Sequence, residues 1–220
     1  KEWKVYFNDY GFGDRHDGIL PYRWSKDEKY LFAVAYSRIS GCCWIGGKYN
    51  LLLRLNLQTG EQTALINGSR GSDPTFSFTI SEDDRFLLAT PMSNQPYDFT
   101  VLDLLSGKTR VVKLKEVKPI DLEFAVMSPY EDIIVLPLFK NIEFNDYVIE
   151  SLVIVDLKSK KQRVLVSNLK DDEELYPIRW LDSEHILVSN ANPSFSSEKE
   201  SAKYWSININ TGERIQVEEP

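Results

Sequence analysis

A fourfold recurrence limits what this chain can fold into more than any other feature. Residues 22–34, 77–89, 124–135 and 177–188 share one plan: a short apolar strand, a polar tight turn, and a second strand rich in aliphatic and aromatic side chains. Ser25, Ser81, Ser128 and Asp182 open those turns at intervals of 56, 47 and 54 residues. A second hairpin follows each, around Gln58-Thr59-Gly60-Glu61, Leu105-Ser106-Gly107-Lys108, Lys158-Ser159-Lys160-Lys161 and Asn210-Thr211-Gly212-Glu213. Glycine suits the third place of such a turn because it takes positive φ at little steric cost. Lys160 stands where the other three have glycine, and the four positions recur every 47, 53 and 52 residues. Two landmarks with one period identify a repeat.

Four strands in about 50 residues are the arithmetic of a β-propeller blade. No window carries an apolar stripe at helical spacing. The fold expected is therefore all-β, a β-propeller of about four four-stranded blades over 21–67, 76–115, 122–167 and 176–218. An N-terminal strand and loop over 1–20 precede them. A β-sandwich also has short strands and frequent turns, but it leaves the recurrence unexplained. A further strand at residues 3–7 is left over once the fourth blade has its own last strand. It either caps that blade or belongs to another, which would make this an open propeller, part of a larger one, or one completed by another chain.

Composition narrows the partners. The 220 residues carry a formal net charge of −7, against a general role in nucleic-acid or anionic-membrane binding. No apolar run reaches the roughly 18–20 residues of a membrane helix. Two His and two Cys are too few for a cage built of those residues, and no metal or cofactor is expected.

The segment Trp24-Ser25-Lys26-Asp27-Glu28-Lys29-Tyr30-Leu31-Phe32 resembles the W-S-P-D-G-x-x-[IL]-[AV]-F pattern of TolB-like, WD40-like propeller repeats. Similar repeats occur in the propeller domains of prolyl-oligopeptidase-type peptidases. The resemblance runs from Pro21 onward, with each copy degenerate: Lys26 replaces the motif proline and Glu28 its glycine, and only Ser128-Pro129 keeps the Ser-Pro pair. It implies the fold, and it speaks poorly to function.

The recurring polar residues have a local task. Ser25, Ser81, Ser128 and Asp182 are placed to accept backbone N–H bonds across their turns. Asn56, Asp103, Asp156 and Asn208 recur at the end of each third strand, where a turn role again outweighs catalysis. Trp24 and Trp180 hold equivalent places and are expected to pack between blades. A G-x-S-x-G elbow is lacking, and Gly11-Phe12-Gly13 does not extend to a dinucleotide fingerprint. His185 reads as a surface residue of its turn. The loop around His16 offers Asp9, Asp14 and Asp17 to a hard cation without matching an EF-hand. Adjacent Cys42 and Cys43 are either reduced thiols beside Trp44 or a strained vicinal disulfide. A start at Lys1 rather than Met fits a cleaved signal peptide, a trimmed chain or a fragment, and an extracellular or periplasmic location is expected.

Strand parity gives the sharpest functional expectation. In an up-and-down blade the first–second and third–fourth turns share one end, and those turns are short in all four repeats. The long segments, among them 36–50, 90–98, 139–150 and 189–203, fall at the other end. Loops on a rigid scaffold are the usual place for binding. Tyr36, Arg38, Trp44, Tyr97, Asp98, Phe144, Asp146 and Asn190 are the candidate partner-binding residues there. The expected function is a non-catalytic binding or scaffold module for a protein partner. The alternatives are an accessory propeller of a prolyl-oligopeptidase-type hydrolase and a carbohydrate- or peptide-binding propeller; a lyase or glycosidase on this scaffold ranks below them.

Overall fold

The computed structural model describes residues 18–36, 49–67, 76–91, 98–115, 120, 122–130, 132–143, 146–167, 169, 174–191 and 202–218. Sixteen strands lie among them. The first sheet is β1 (Gly18–Trp24), β2 (Tyr30–Tyr36), β3 (Tyr49–Asn56) and β4 (Gln62–Asn67). The second is β5 (Phe76–Ile80), β6 (Phe86–Pro91), β7 (Asp98–Asp103) and β8 (Thr109–Lys113). The third is β9 (Val126–Met127), β10 (Ile133–Glu143), β11 (Asp146–Asp156) and β12 (Gln162–Val166). The fourth is β13 (Tyr176–Trp180), β14 (His185–Ser189), β15 (Tyr204–Asn208) and β16 (Arg214–Val217). Each sheet is an antiparallel meander of consecutive strands, which is the blade architecture that the repeat implies. A single 3₁₀ turn at Leu122–Phe124 is the one helical element among the described residues. Among the described residues, strand β1 covers Gly18–Trp24.

The chain divides into two compact units, Lys1–Ser77 with Pro91–Ser93, and Phe78–Thr90 with Asn94–Pro220. The first unit contains the first sheet, in which Phe32, Val34 and Leu52 are buried. The second unit holds nearly all of the other three sheets, and two apolar clusters join them. One sets Leu88, Phe99 and Val101 of the second sheet against Ile134, Leu136 and Val155 of the third. The other sets Val135, Leu152 and Ile154 of the third against Trp180, Ile186 and Val188 of the fourth. Ile134 and Val135 are neighbours in sequence yet serve different clusters. A strand that is covered on both faces needs apolar residues at every position, which explains the unbroken run Ile133-Ile134-Val135-Leu136.

Local turn chemistry fixes the strand ends. The Asn56 Oδ1 atom accepts from Gln58 N and Thr59 N, at 2.9 and 3.1 Å. Asp103 does the same for Leu105 N and Ser106 N, and Asp156 for Lys158 N and Ser159 N. Asn208 completes the set with Asn210 N and Thr211 N. The residue four past each acceptor takes a positive φ: +79° at Gly60, +69° at Gly107, +59° at Lys160 and +76° at Gly212. In the first–second turns, Ser25 Oγ accepts from Tyr30 N at 2.9 Å and Ser81 Oγ from Phe86 N at 2.8 Å. Ser128 Oγ accepts from Tyr130 N, while Asp182 Oδ1 accepts from Glu184 N and His185 N.

Candidate functional site

The two ends of each sheet differ in kind. At the turn end, side-chain oxygens and backbone carbonyls take up the turn N–H groups, and the Asp side chains are held as carboxylates. Lys29, Ser25 and the Lys29 backbone hold the Asp27 carboxyl down at about 2. Hydrogen bonds from Ser106 and Leu105 lower Asp103, those from Ser159 and Lys158 lower Asp156, and those from Glu184 and His185 lower Asp182. His185 is locked in the same way. Its Nδ1 lies 3.0 Å from both Asp182 oxygens and its Nε2 lies 3.2 Å from Asn208 Nδ2. An Nδ1–H donor with an Nε2 acceptor satisfies all of these contacts, so both ring nitrogens serve the turn. A cleft of about 620 Å³ opens at this end between the third and fourth sheets. Lys115, Lys161 and Arg163 line it beside Asp156, Ser183 and Glu184, a mixed-charge wall. Among the described residues no three His, Cys, Asp or Glu side chains gather as metal ligands.

The opposite end carries the second–third connections. Residues 37–48 separate β2 from β3, 92–97 separate β6 from β7, and 190–203 separate β14 from β15. The third sheet departs from expectation. Residues 139–150 read as a connecting segment, but β10 and β11 each run for 11 residues and leave only 144 and 145 between them. Phe139 pairs with Ile149, both are buried, and the Phe139 ring stands 6.1 Å from that of Phe124. Burial of that pair extends the ladder well past the 5–8 residues of the neighbouring second and third strands. The result is a hairpin that carries Asp146, opposite Glu143, out to the end of the sheet.

The other candidate residues divide. Tyr36 ends β2, with its backbone facing Gly18 and Tyr49. Asp98 opens β7 opposite Lys113, its side chain exposed and its carbonyl accepting from Thr90 Oγ1 at 2.8 Å. Asn190 is occupied: its Oδ1 accepts from Lys203 N at 2.7 Å, and its own N–H donates to the Lys203 carbonyl. It ties together the two ends of its loop. Arg38, Trp44, Tyr97 and Phe144 lie outside the described residues, as do Cys42, Cys43, His16 and the acidic loop around it.

Sequence reading missed a set of side chains at the seams within the second unit. Arg110 Nη1 donates to the Leu157 carbonyl at 3.1 Å. Arg163 Nη2 donates to the Ile209 carbonyl. Gln162 takes the Lys115 N–H at 2.8 Å and gives its Nε2–H to the Lys113 carbonyl at 2.6 Å. Arg110 and Arg163 each stand three residues past the turn centre, a spacing that the repeat could have flagged.

No protein-family model and no curated protein matches this sequence. Solved structures do. An oligogalacturonate lyase in complex with manganese superposes at a TM-score of 0.58, with 19% identity over 88% of this chain and 50% of that one. TolB from Acinetobacter baumannii gives 0.53, with 15% identity over 91% and 43%. The β-propeller domain of Cps50 (Swd1) from Myceliophteria thermophila gives 0.55, with 14% identity over 94% and 60%. The fold is a TolB-like, WD40-like β-propeller. The chain spans about half the length of the solved propellers it matches. Identities this low carry the fold and none of the chemistry. Among the described residues, no helix of this propeller is long and apolar enough to cross a membrane.

Proposed function

We propose that this propeller is a non-catalytic binding module that engages a protein partner through the end bearing the second–third connections, outside the cytoplasm. The observation that carries the reading is the contrast between the two ends. Turn-end Asn and Asp side chains are committed to their own turns, whereas at the other end β10 and β11 run on to Glu143 and Asp146 and the second–third connections of the other sheets take 6 to 14 residues of sequence. Connections anchored at both ends on paired strands are the usual place for binding on a rigid scaffold.

The test is cross-linking of the native protein in its own extract, with the cross-linked positions mapped. Cross-links are expected in the second–third connections. They should be lost when residues 141–148 are replaced by a two-residue Asn-Gly turn, with the thermal melt unchanged. Cross-links confined to the turn end would overturn the reading. So would turnover of oligogalacturonate by the purified chain, because the lyase neighbour shares this fold.

A further inference from the structure

We propose that the cleft between the third and fourth sheets binds a small zwitterion, taking its carboxylate on the wall of Lys115, Lys161 and Arg163 and its ammonium on the wall that carries Glu184. Every residue that lines this cleft of about 620 Å³ belongs to the second unit. A space of that size suits a small molecule. Strand register builds the first wall. Ile133 pairs with Asp156 and Ile154 with Arg163, so these four side chains share one face of the third sheet. Lys161, whose carbonyl accepts from Asp156 N at 2.9 Å, extends that face at its turn end. Lys115 joins from the second sheet, its N–H held by Gln162 Oε1 at 2.8 Å. The second wall is the β13–β14 turn with Ser183 and Glu184, beside Asn210 of the β15–β16 turn. Ile209 N donates to the Glu184 carbonyl at 2.7 Å and ties those two turns together. The bond from Arg163 to the Ile209 carbonyl joins one wall to the other, so the cleft is held in place by the fold itself.

Charge decides the ligand. The chain as a whole carries −7, yet Lys115, Lys161 and Arg163 gather here. Among the described residues no ion pair engages any of them. The Asp156 carboxylate is spent on its own turn, accepting from Lys158 N, Ser159 N and Ser159 Oγ. The Glu184 carboxylate has no such commitment among the described residues. A plain anion would satisfy the cations but would desolvate Glu184 with nothing to offset the cost. A molecule with an ammonium at its far end satisfies both walls. Its hydrocarbon middle gains from the apolar surface of Ile133, Ile154 and Ile209. Packed sheets stand about 10 Å apart, a gap that a chain of a few carbons spans. This site lies at the turn end and does not rest on the partner-binding reading of the other end.

Amide chemical shifts of the full chain, followed by NMR during titration, test the proposal with γ-aminobutyrate and ε-aminocaproate as probes. Caproate and n-hexylammonium serve as the single-charge controls. Saturable shifts are expected at the lining residues, with at least one zwitterion binding about fivefold or more tighter than either control. Lys161→Gln and Lys115→Gln change only side chains and keep the backbone bonds of the walls. Each should weaken the zwitterion about fivefold and leave n-hexylammonium no weaker. Glu184→Gln should weaken the zwitterion to the level of caproate without weakening caproate itself. Circular dichroism checks that each variant is folded. Absence of saturable shifts with both zwitterions would overturn the proposal. So would a control that binds as tightly as the zwitterions, or lysine variants that bind as the wild type does.

Discussion

At the scale of single residues, the third–fourth turns form an experiment already run four times. Three of them place glycine at positive φ, and the third sheet places Lys160 there at +59°. The left-handed region costs a residue with a Cβ roughly 1–2 kcal/mol, which the loss of chain freedom on adding glycine partly offsets. Lys160→Gly is expected to stabilise by about 0.5–1 kcal/mol, read as a higher denaturation midpoint at unchanged slope. The glycines themselves should separate. A Cβ on Gly107 meets nothing within 4 Å, but one on Gly212 comes 3.3 Å from the Leu165 carbonyl. Gly212→Ala should therefore cost more than Gly107→Ala in the same measurement, and equal costs would mean that strain in φ is the whole effect.

Between elements, the position before the first turn shows how far burial decides a residue's worth. Trp180 is buried in the cluster between the third and fourth sheets, with its Nε1 unpartnered, and Trp24 is mostly exposed. Trp180→Ala should cost about 3–5 kcal/mol, the usual price of emptying a large buried site. Trp24→Ala, measured by chemical denaturation at low protein concentration, should stay within about 0.5 kcal/mol. The sequence shows the two tryptophans as equivalent, and nothing in it separates them, because exposure depends on what stands against the sheet. The β10–β11 hairpin escaped sequence reading for a related reason. Register shifts on either side of Phe139 break the alternation of apolar and polar residues that marks a strand. The turns were legible because each is closed by side chains within five residues of the groups they bind. The seam contacts of Arg110, Arg163 and Gln162 join residues 46 to 49 apart in sequence, so only the folded chain reveals them. Of the proposed partner surface, the sequence supplies only the expectation that it lies at one end of the sheets. It does not reveal that Asn190 is committed to its own loop.

Across the whole molecule, the repeated carboxylates make acid stability a collective property. Asp27, Asp103, Asp156 and Asp182 all titrate below the ordinary carboxylate range in the folded chain. Folding stability from a depressed carboxyl is complete above its unfolded pKa and is lost as pH falls through the folded one. The melting temperature should hold level from neutral pH to about 5 and then fall between about 4 and 2. Asn56 and Asn208 perform the same turn bonding without charge. The double variant D103N/D156N is thus expected to melt near the wild-type temperature at pH 7 and to lose less on acidification. A slope identical to that of the wild type would show that these two carboxylates take no part.

Among the described residues every sheet is made of four strands consecutive in the chain. A cut in the gene between two sheets would sever none of these strand pairings. Such a chain can gain or lose a blade by copying or deleting about 50 residues in frame, with selection acting afterwards on the new seam alone. A lineage of propellers could change size in single steps while its turns stay recognisable and the rest of the sequence drifts.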